Sequence, residues 1–170
     1  MVETREGLSV NEDHKISRSP LTKLRLALAP TWLRWARGMT LGSRTAVIDA
    51  KGCFMLVKQT YTPGWIFPGG GVERGETCVE AARREVEEEA AIFASGAFQL
   101  LGMFSNDKRM RGDHLAFFVL REFEKRPFTP NMEIADARFF SPDDLPERME
   151  SGTLRRIHEL TQNLPHSEYW

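Results

Sequence analysis

The stretch "RREVEEEA", residues 83–90, places four glutamates within five positions. Carboxylates three and four residues apart on a helix repel each other by about 0.2–0.5 kcal/mol per pair. At helical spacing, Glu85, Glu88 and Glu89 share one face that borders an apolar stripe. Three carboxylates at the rim of a core require compensating positive charge, and oxygen ligands of this kind suit Mg²⁺ or Mn²⁺. Taken alone, this pattern is more typical of a glutamate-rich surface helix, whose charges neighbouring arginines neutralise, than of a metal site.

The helix that carries these glutamates is predicted over residues 77–93. Its start has a capping-box signature, with Thr77 as N-cap and Glu80 three residues later. Its apolar stripe is formed by five side chains: Val79, Ala82, Val86, Ala90 and Phe93.

A glycine-rich loop, "GGGVERGE" at residues 69–76, leads directly into this helix. Glycine lets the backbone pass close to a ligand, so Gly69, Gly70 and Gly71 could bind a pyrophosphate through exposed N–H groups. A tight turn explains three glycines about as well. The loop and the acidic face at fixed spacing form a much more specific signal than either one.

Together these residues resemble the Nudix box. That motif is a glycine, five residues, a glutamate, seven residues, then Arg-Glu-apolar-any-Glu-Glu-any-Gly-apolar. The matching positions here are Gly70, Glu76, Arg84-Glu85-Val86, Glu88-Glu89 and Ile92. The single departure is Ala91, which stands where the family usually has glycine. The upstream "GWIFPGG" and the downstream "EIADARFFSPDDLP" also resemble Nudix domains, so the similarity runs from about residue 39 to residue 170.

The resemblance implies a fold class of α/β (α+β), as an α/β/α sandwich around a mixed β-sheet. It implies hydrolysis of a diphosphate linkage in a nucleoside diphosphate attached to a group X, dependent on Mg²⁺ or Mn²⁺. The expected metal ligands are Glu85, Glu88 and Glu89, with Arg84 orienting the glutamates and Glu76 outside the ligand set. If position 91 is a helix C-cap with positive φ, its alanine costs about 1 kcal/mol.

The general base stays open at this point. A carboxylate must take a proton from the attacking water, and Glu89 and Glu88 are both candidates. Glu133, just before the "ARFF" strand, is a candidate from outside the motif. A solvated loop charge is at least as good an interpretation of Glu133.

Further substrate contacts are expected from the loop "SNDKRMRGDHL", residues 105–115. Lys108, Arg109 and Arg111 could meet phosphates, although most loop cations are simply solvated. Asp113 or His114 could approach the chemistry, His114 only if it faces the glycine loop. Trp65 and Phe67 flank the same cleft, where one could stack on a base. Core packing is the commoner role for at least one of them.

The remaining chain alternates between strands and helices. The segments "RTAVIDA" and "CFMLVKQ" flank a hairpin turn at residues 49–52. "AFQLLGMFS" and "DHLAFFVLREF" are predicted strands, and the second is apolar enough to be central. A short strand is predicted in "ARFFSPDDLP". "SGTLRRIHELTQNL" predicts a final helix with a core-facing set of Leu154, Ile157, His158, Leu160 and Leu164.

Three regions are expected: a flexible polar tail at 1–19, a basic amphipathic arm at 20–39 and a catalytic domain at 40–170. The arm fits packing on its own domain or in a homodimer, and a membrane- or partner-binding module is the alternative. An alternative function for the domain at 40–170 is that of a catalytically weak, Nudix-like regulatory domain that binds a nucleotide.

Composition limits the expected partners and cellular location of the protein. A net charge of −1 over 170 residues predicts no nucleic-acid partner. The two cysteines, Cys53 and Cys78, show no paired spacing and suggest a reducing compartment. Neither a signal peptide nor an apolar run of about 20 residues is evident, so a cytoplasmic location is expected.

Overall fold

The computed structural model describes residues 38–170, and residues 39–170 form one compact unit. The predicted tail at 1–19 and nearly all of the predicted arm at 20–39 lie outside the described residues. The described elements, in chain order, are β1 (Thr40–Val47), β2 (Phe54–Gln59), β3 (Trp65–Ile66), α1 (Cys78–Ala90), β4 (Ile92–Ala94), β5 (Gln99–Ser105), β6 (Asp113–Leu120), β7 (Phe123–Lys125), β8 (Ile134–Phe140) and α2 (Ser151–Gln162).

The described strands form three sheets. The first has the order β1-β6-β5, in which β1 runs parallel and β5 antiparallel to β6. The second, β3-β2-β8, is antiparallel, and β4 and β7 form a separate antiparallel pair. The predicted α+β class and the central position of β6 are confirmed. The strands are divided among three sheets, of which the first is mixed.

The predicted turn at residues 49–52 does form, with Gly52 donating its N–H to the Asp49 carbonyl at 3.0 Å. The flanking strands nevertheless separate after one bridge, between Ile48 and Phe54. All eight residues of β1 pair with β6, whereas β2 pairs with β8. The turn at residues 49–52 therefore connects strands of two different sheets instead of closing a hairpin.

The two helices lie on opposite faces of the strand layer. Successive strand residues point to opposite faces, and each face contributes to a different apolar cluster. The cluster on the α2 side includes Ala46, Phe54, Leu56, Phe117 and Ile157. The clusters on the α1 side include Val47, Met55, Val57, Val86 and Phe118. This arrangement is the predicted α/β/α layering.

Helix α1 begins as predicted and ends earlier. Thr77 and Glu80 form both hydrogen bonds of the capping box. The helix ends at Ala90 because Ala91 adopts the left-handed conformation, with φ 53° and ψ 40°. Phe93 therefore belongs to β4, and Val79 is 41% exposed. These two members of the predicted stripe were wrong.

Helix α2 buries a different set of residues from the predicted one. Ile157 is fully buried as expected, whereas His158 is exposed and Leu164 is 45% exposed. The helix buries Arg156 completely instead, paired with Glu159 at 2.8 Å. A charged residue can face a core when its counter-charge comes from the next turn. Neither helix within residues 38–170 combines the length and apolarity needed to cross a membrane.

Candidate active site

The glycine loop lies along the free edge of β1 like an additional strand. Ser43 donates its N–H to the Gly70 carbonyl at 2.8 Å, and Thr45 donates to the Pro68 carbonyl at 3.0 Å. Val72 donates in return to the Leu41 carbonyl at 2.9 Å. Paired backbone groups on both sides hold the loop firmly against the sheet.

Two of the three glycines are required by close contacts. A β-carbon on Gly69 would lie 2.9 Å from the Arg44 Cα and would collide with the Ser43 carbonyl, and φ at Gly69 is 147°. A β-carbon on Gly70 would lie 2.7 Å from Glu85 Cδ. Gly71 has no heavy atom within 4 Å of the equivalent point. The triplet therefore serves packing at residues 69 and 70, and the packing partner of Gly70 is a carboxylate.

Glu89 is the most deeply buried of the predicted ligands, at 7% exposure. Its carboxylate accepts a hydrogen bond of 2.8 Å from the Gly69 N–H. Burial raises the pKa of Glu89 to about 7, although the Gly69 bond, the Arg44 charge and the Gln59 amide act in the opposite direction. The site therefore contains a desolvated carboxylate with too little positive charge beside it.

Glu85 and Arg84 join α1 to the loop. Burial raises the pKa of Glu85, an effect that its bond to Arg84 partly offsets. Arg84 donates from Nη1 to Glu85 at 2.7 Å, from Nε to Glu76 at 3.0 Å and from Nη2 to the Gly71 carbonyl at 3.1 Å. The hydrogen bond from Arg84 lowers the pKa of Glu76 below its usual range, and the bond that Glu76 accepts from the Glu73 N–H acts in the same direction. One guanidinium thus fixes two carboxylates and the loop backbone.

Glu88 occupies the solvent edge of the same helical turn, with its side chain 62% exposed and 3.4 Å from Arg84 Nη1. Within residues 38–170, no three acidic, histidine or cysteine side chains are already gathered into a metal cage. The donor set still fits a hard divalent cation. Glu85 and Glu89 would supply carboxylate oxygens against the loop, and the exposed Glu88 side chain would join them by leaving its contact with Arg84.

Arg44 is a functional candidate that sequence reasoning missed. Its Nη1 donates to the Gly69 carbonyl, while its buried Nε has no hydrogen-bond partner among the described residues. Arg44 also lines a cavity of about 360 Å³ together with Gly70 and Gly71. A lone cation in the apolar segment "RTAVI" was the available signal. The positive charge of Arg44 at the wall of this cavity is suited to an anionic ligand.

Tyr61 also escaped sequence reasoning, and its surroundings locate Glu133. Partial burial raises the pKa of Tyr61, and the negative charges of Glu89 and Glu133 raise it further. Thr60 donates its N–H to the Glu133 carbonyl at 2.8 Å, which ties the two loops together. Glu133 is exposed, and like Glu89 it is close enough to Tyr61 for its charge to raise the pKa of the phenol.

The two aromatic candidates are core residues. Trp65 is 7% exposed, contacts Phe140 edge-on at 4.7 Å between ring centroids and has the Arg138 guanidinium over its ring at 5.1 Å. Phe67 is fully buried. The expectation that Trp65 could stack on a base is therefore corrected, because the indole is almost completely buried and has Arg138 over its ring.

Two predicted substrate residues on the 105–115 segment do not line the cavity beside the glycine loop. Leu115 lines this cavity and belongs to the cluster on the α2 side. His114, one residue earlier in β6, points to the opposite face, on which α1 packs. Arg111 is exposed and lines none of the described cavities, whereas Arg109 lines the one beside Gly70. The loop approaches the site through Arg109.

Comparisons with known proteins agree with this architecture. The family model described as NUDIX domain matches residues 40–160. A Bacillus subtilis protein provisionally named an 8-oxo-dGTP diphosphatase is 30% identical over 121 residues, 71% of this chain and 79% of that protein. An ADP-ribose pyrophosphatase of Methanocaldococcus jannaschii is 32% identical over 98 residues, 57% of this chain and 51% of that protein.

The solved structures agree as well. A MutT NUDIX hydrolase from Burkholderia pseudomallei superposes with a TM-score of 0.62 at 23% identity, over 71% of this chain and 97% of that one. The fold and the matched family model define the class as an enzyme that hydrolyses acid anhydrides. The chain belongs to the NUDIX domain family.

Proposed function

We propose that this protein cleaves the diphosphate linkage of a nucleoside diphosphate attached to a group X, using Mg²⁺ or Mn²⁺. The observation that carries the proposal is the contact between two buried carboxylates and the glycine loop. Glu89 accepts the Gly69 N–H at 2.8 Å, and Glu85 packs against Gly70. Relatives named for 8-oxo-dGTP and for ADP-ribose support a nucleotide substrate.

In this proposal Glu85, Glu88 and Glu89 hold the divalent cation. When bound, the cation neutralises charge on phosphate oxygens and lowers the pKa of a coordinated water. Arg84 keeps Glu85 directed at the loop through its simultaneous bonds to Glu76 and the Gly71 carbonyl. Arg44 lines the cavity beside Gly70, and its positive charge would attract a phosphate group there.

The proton of the attacking water needs an acceptor, and three carboxylates remain candidates. Glu89 is buried and lies against the loop, whereas Glu88 and Glu133 are exposed. Of the three, Glu89 has the fixed position, because its carboxylate accepts the Gly69 N–H at 2.8 Å, and we rank it first on that ground.

The first experiment is a substrate panel. Purified protein is incubated with nucleoside triphosphates (oxidised forms included), ADP-ribose, nucleotide sugars and dinucleoside polyphosphates, with Mg²⁺, Mn²⁺ or EDTA. Products are identified by mass. We expect cleavage at a diphosphate bond for at least one class and none with EDTA. Cleavage that continues in EDTA, or failure with every class, contradicts the proposal.

A matched pair of variants tests the residues. Glu89→Gln keeps the shape of the side chain and removes its charge, and we expect kcat to fall at least 100-fold. Glu87→Gln makes the same change on the opposite side of α1 and should keep activity within about twofold. Equal activity of the two variants would remove Glu89 from the proposed machinery.

A further inference from the structure

Two cavities of similar size adjoin each other beside the glycine loop. The first, of about 360 Å³, runs from Arg44 and Gly70 to the apolar side chains of Leu41, Met110 and Leu115. The second, of about 350 Å³, is named here the basic cavity because its wall includes Lys108, Arg109 and Arg155. A ligand that begins at the glycine loop therefore meets an apolar region before it meets a basic one.

The two cavities share a wall made of Asn106, Arg109 and Glu150. Arg109 forms an ion pair with Glu150 across this wall. Glu150 is held in turn by the Trp170 indole N–H and by the Thr153 hydroxyl, each at 3.0 Å. Arg109 is thus anchored at the border, although half of its side chain is exposed.

Positive charge predominates in the basic cavity. Glu150 neutralises one of the three cations through its pair with Arg109. The Lys108 ammonium lies 5.1 Å from the centroid of the Tyr169 ring, and Arg155 donates to the Tyr169 carbonyl at 3.2 Å. Among the described residues, neither Lys108 nor Arg155 is paired with a carboxylate, which leaves two positive charges available. A concave surface with such an excess attracts anions.

We propose that the basic cavity binds a phosphate group that the substrate carries in addition to its cleaved diphosphate. This inference rests on the proposed function, because the order of sites follows from cleavage at the glycine loop. The diphosphate lies against Gly70 and Arg44, and the uncharged part of the substrate occupies the apolar region. The additional phosphate then reaches Lys108 and Arg155, with Ser151 at the start of α2 beside them.

The test uses pairs of compounds that differ by one phosphate monoester. Suitable pairs are ADP-ribose with its 2′-phosphate, NADH with NADPH, and dephospho-coenzyme A with coenzyme A. We expect kcat/KM to be at least tenfold higher for the phosphorylated member of a hydrolysed pair, mainly through a lower KM. The double variant Lys108→Ala/Arg155→Ala should bring this ratio close to one by raising KM for the phosphorylated member.

Arg111→Ala is the matched control. It removes a cation from the same loop, and Arg111 lines neither cavity. It should leave the ratio unchanged. A ratio near one in the unmodified protein overturns the inference, and so does a ratio that the double variant leaves intact. A ratio that Arg111→Ala abolishes equally would assign the effect to the charge of the loop and would also overturn it.

Inorganic phosphate is the other ligand that could occupy the basic cavity. If the cavity takes the phosphate of the substrate, inorganic phosphate should raise KM for the phosphorylated member of a pair more than for its partner. If inorganic phosphate instead activates hydrolysis of the unphosphorylated member, the cavity binds a free ion and the substrate assignment is wrong.

A binding experiment separates this inference from the proposed function. Calorimetric titration of metal-free protein with adenosine 3′,5′-bisphosphate and with AMP requires no turnover. We expect at least tenfold tighter binding of the bisphosphate, lost in the Lys108→Ala/Arg155→Ala variant. Should every compound resist hydrolysis, the proposed function fails while this ratio still decides the role of the cavity. Equal affinities overturn the inference.

Discussion

The backbone of Gly70 and the carboxylate of Glu85 are in direct contact, so that a β-carbon on residue 70 would lie 2.7 Å from Glu85 Cδ. The contact is made by the far end of a flexible side chain. An added methyl group at residue 70 would therefore move the carboxylate and leave the fold intact. Gly69 differs, because the obstruction there is the backbone of β1.

Gly70→Ala should for this reason separate activity from stability. We expect kcat to fall by about 10- to 100-fold, as for other small displacements of catalytic groups, with a melting temperature within about 2 °C of the unmodified protein. The loss of kcat should exceed that of Gly71→Ala at least tenfold, since residue 71 has open space at the same point. Equal loss in the two variants would contradict the contact with Glu85.

The pKa of Glu89 predicts a pH dependence of stability in the metal-free protein. Burial raises that pKa from 4.5 to about 7, so the folded state favours the protonated form. The contribution of protonated Glu89 to the free energy of unfolding is fully present below pH 4.5 and is lost as the pH rises through about 7. The shift corresponds to about 3 kcal/mol.

Urea unfolding in EDTA, measured from pH 4.5 to 8, checks this prediction. Glu89→Gln has no titrating group at residue 89. The free energy of unfolding of the variant, minus that of the unmodified protein, should therefore increase as the pH rises from 4.5 to 8. Comparing the two proteins cancels the titration of carboxylates that do not interact with Glu89, such as Glu76, whose pKa is lowered. A constant difference across the pH range would be the contrary result.

Ala91 offers a stabilising substitution. It ends α1 at φ 53°, a conformation that disfavours side chains with a β-carbon. Ala91→Gly should raise the free energy of unfolding by about 1 kcal/mol and the melting temperature by about 3 °C. Asn163 ends α2 at φ 51°, and because asparagine tolerates this conformation, Asn163→Gly should gain less. An equal or smaller gain at residue 91 would count against strain there.

The buried pair of Arg156 and Glu159 should be sensitive to removal of one partner. Arg156 is fully buried, and burial lowers its pKa. Glu159→Ala leaves this cation without its carboxylate, so we expect a loss of about 3–5 kcal/mol. The double variant Arg156→Met/Glu159→Met should be more stable than Glu159→Ala, because it removes both charges together. Chemical denaturation of the three proteins measures the difference.

Local pattern and a specific motif were enough to predict much of this molecule. The capping box at Thr77 and Glu80, the apolar β6 and the approach of the glutamate helix to the glycine loop all depend on residues near one another in the chain. The end of the helix was predicted too late, at residue 93, and a left-handed Ala91 was considered only as a condition of the motif. The motif also identified Arg84, whose contacts all lie within 13 residues of it.

What the sequence did not predict depends on register and on distant partners. Whether His114 or Leu115 lines the cavity beside the loop is decided by one residue of strand alternation. Thr60 donates its N–H to the Glu133 carbonyl because β2 pairs with β8, and the spacing of these residues along the chain does not indicate it. Arg156 is buried because Glu159 and the carbonyl groups of Ser167 and Tyr169 receive its N–H groups. Periodicity alone reads such an arginine as a surface residue.

The carboxylates and the basic cavity reside on different elements. Glu85 and Glu89 belong to α1, whereas Lys108 and Arg155 belong to a surface loop and to α2. If the basic cavity binds part of the substrate, as proposed, exchange of that loop and of a single helical turn would change which metabolites are recognised without disturbing the residues proposed for bond cleavage. Selection, or a protein engineer, would then diversify recognition while the proposed hydrolytic residues are inherited unchanged.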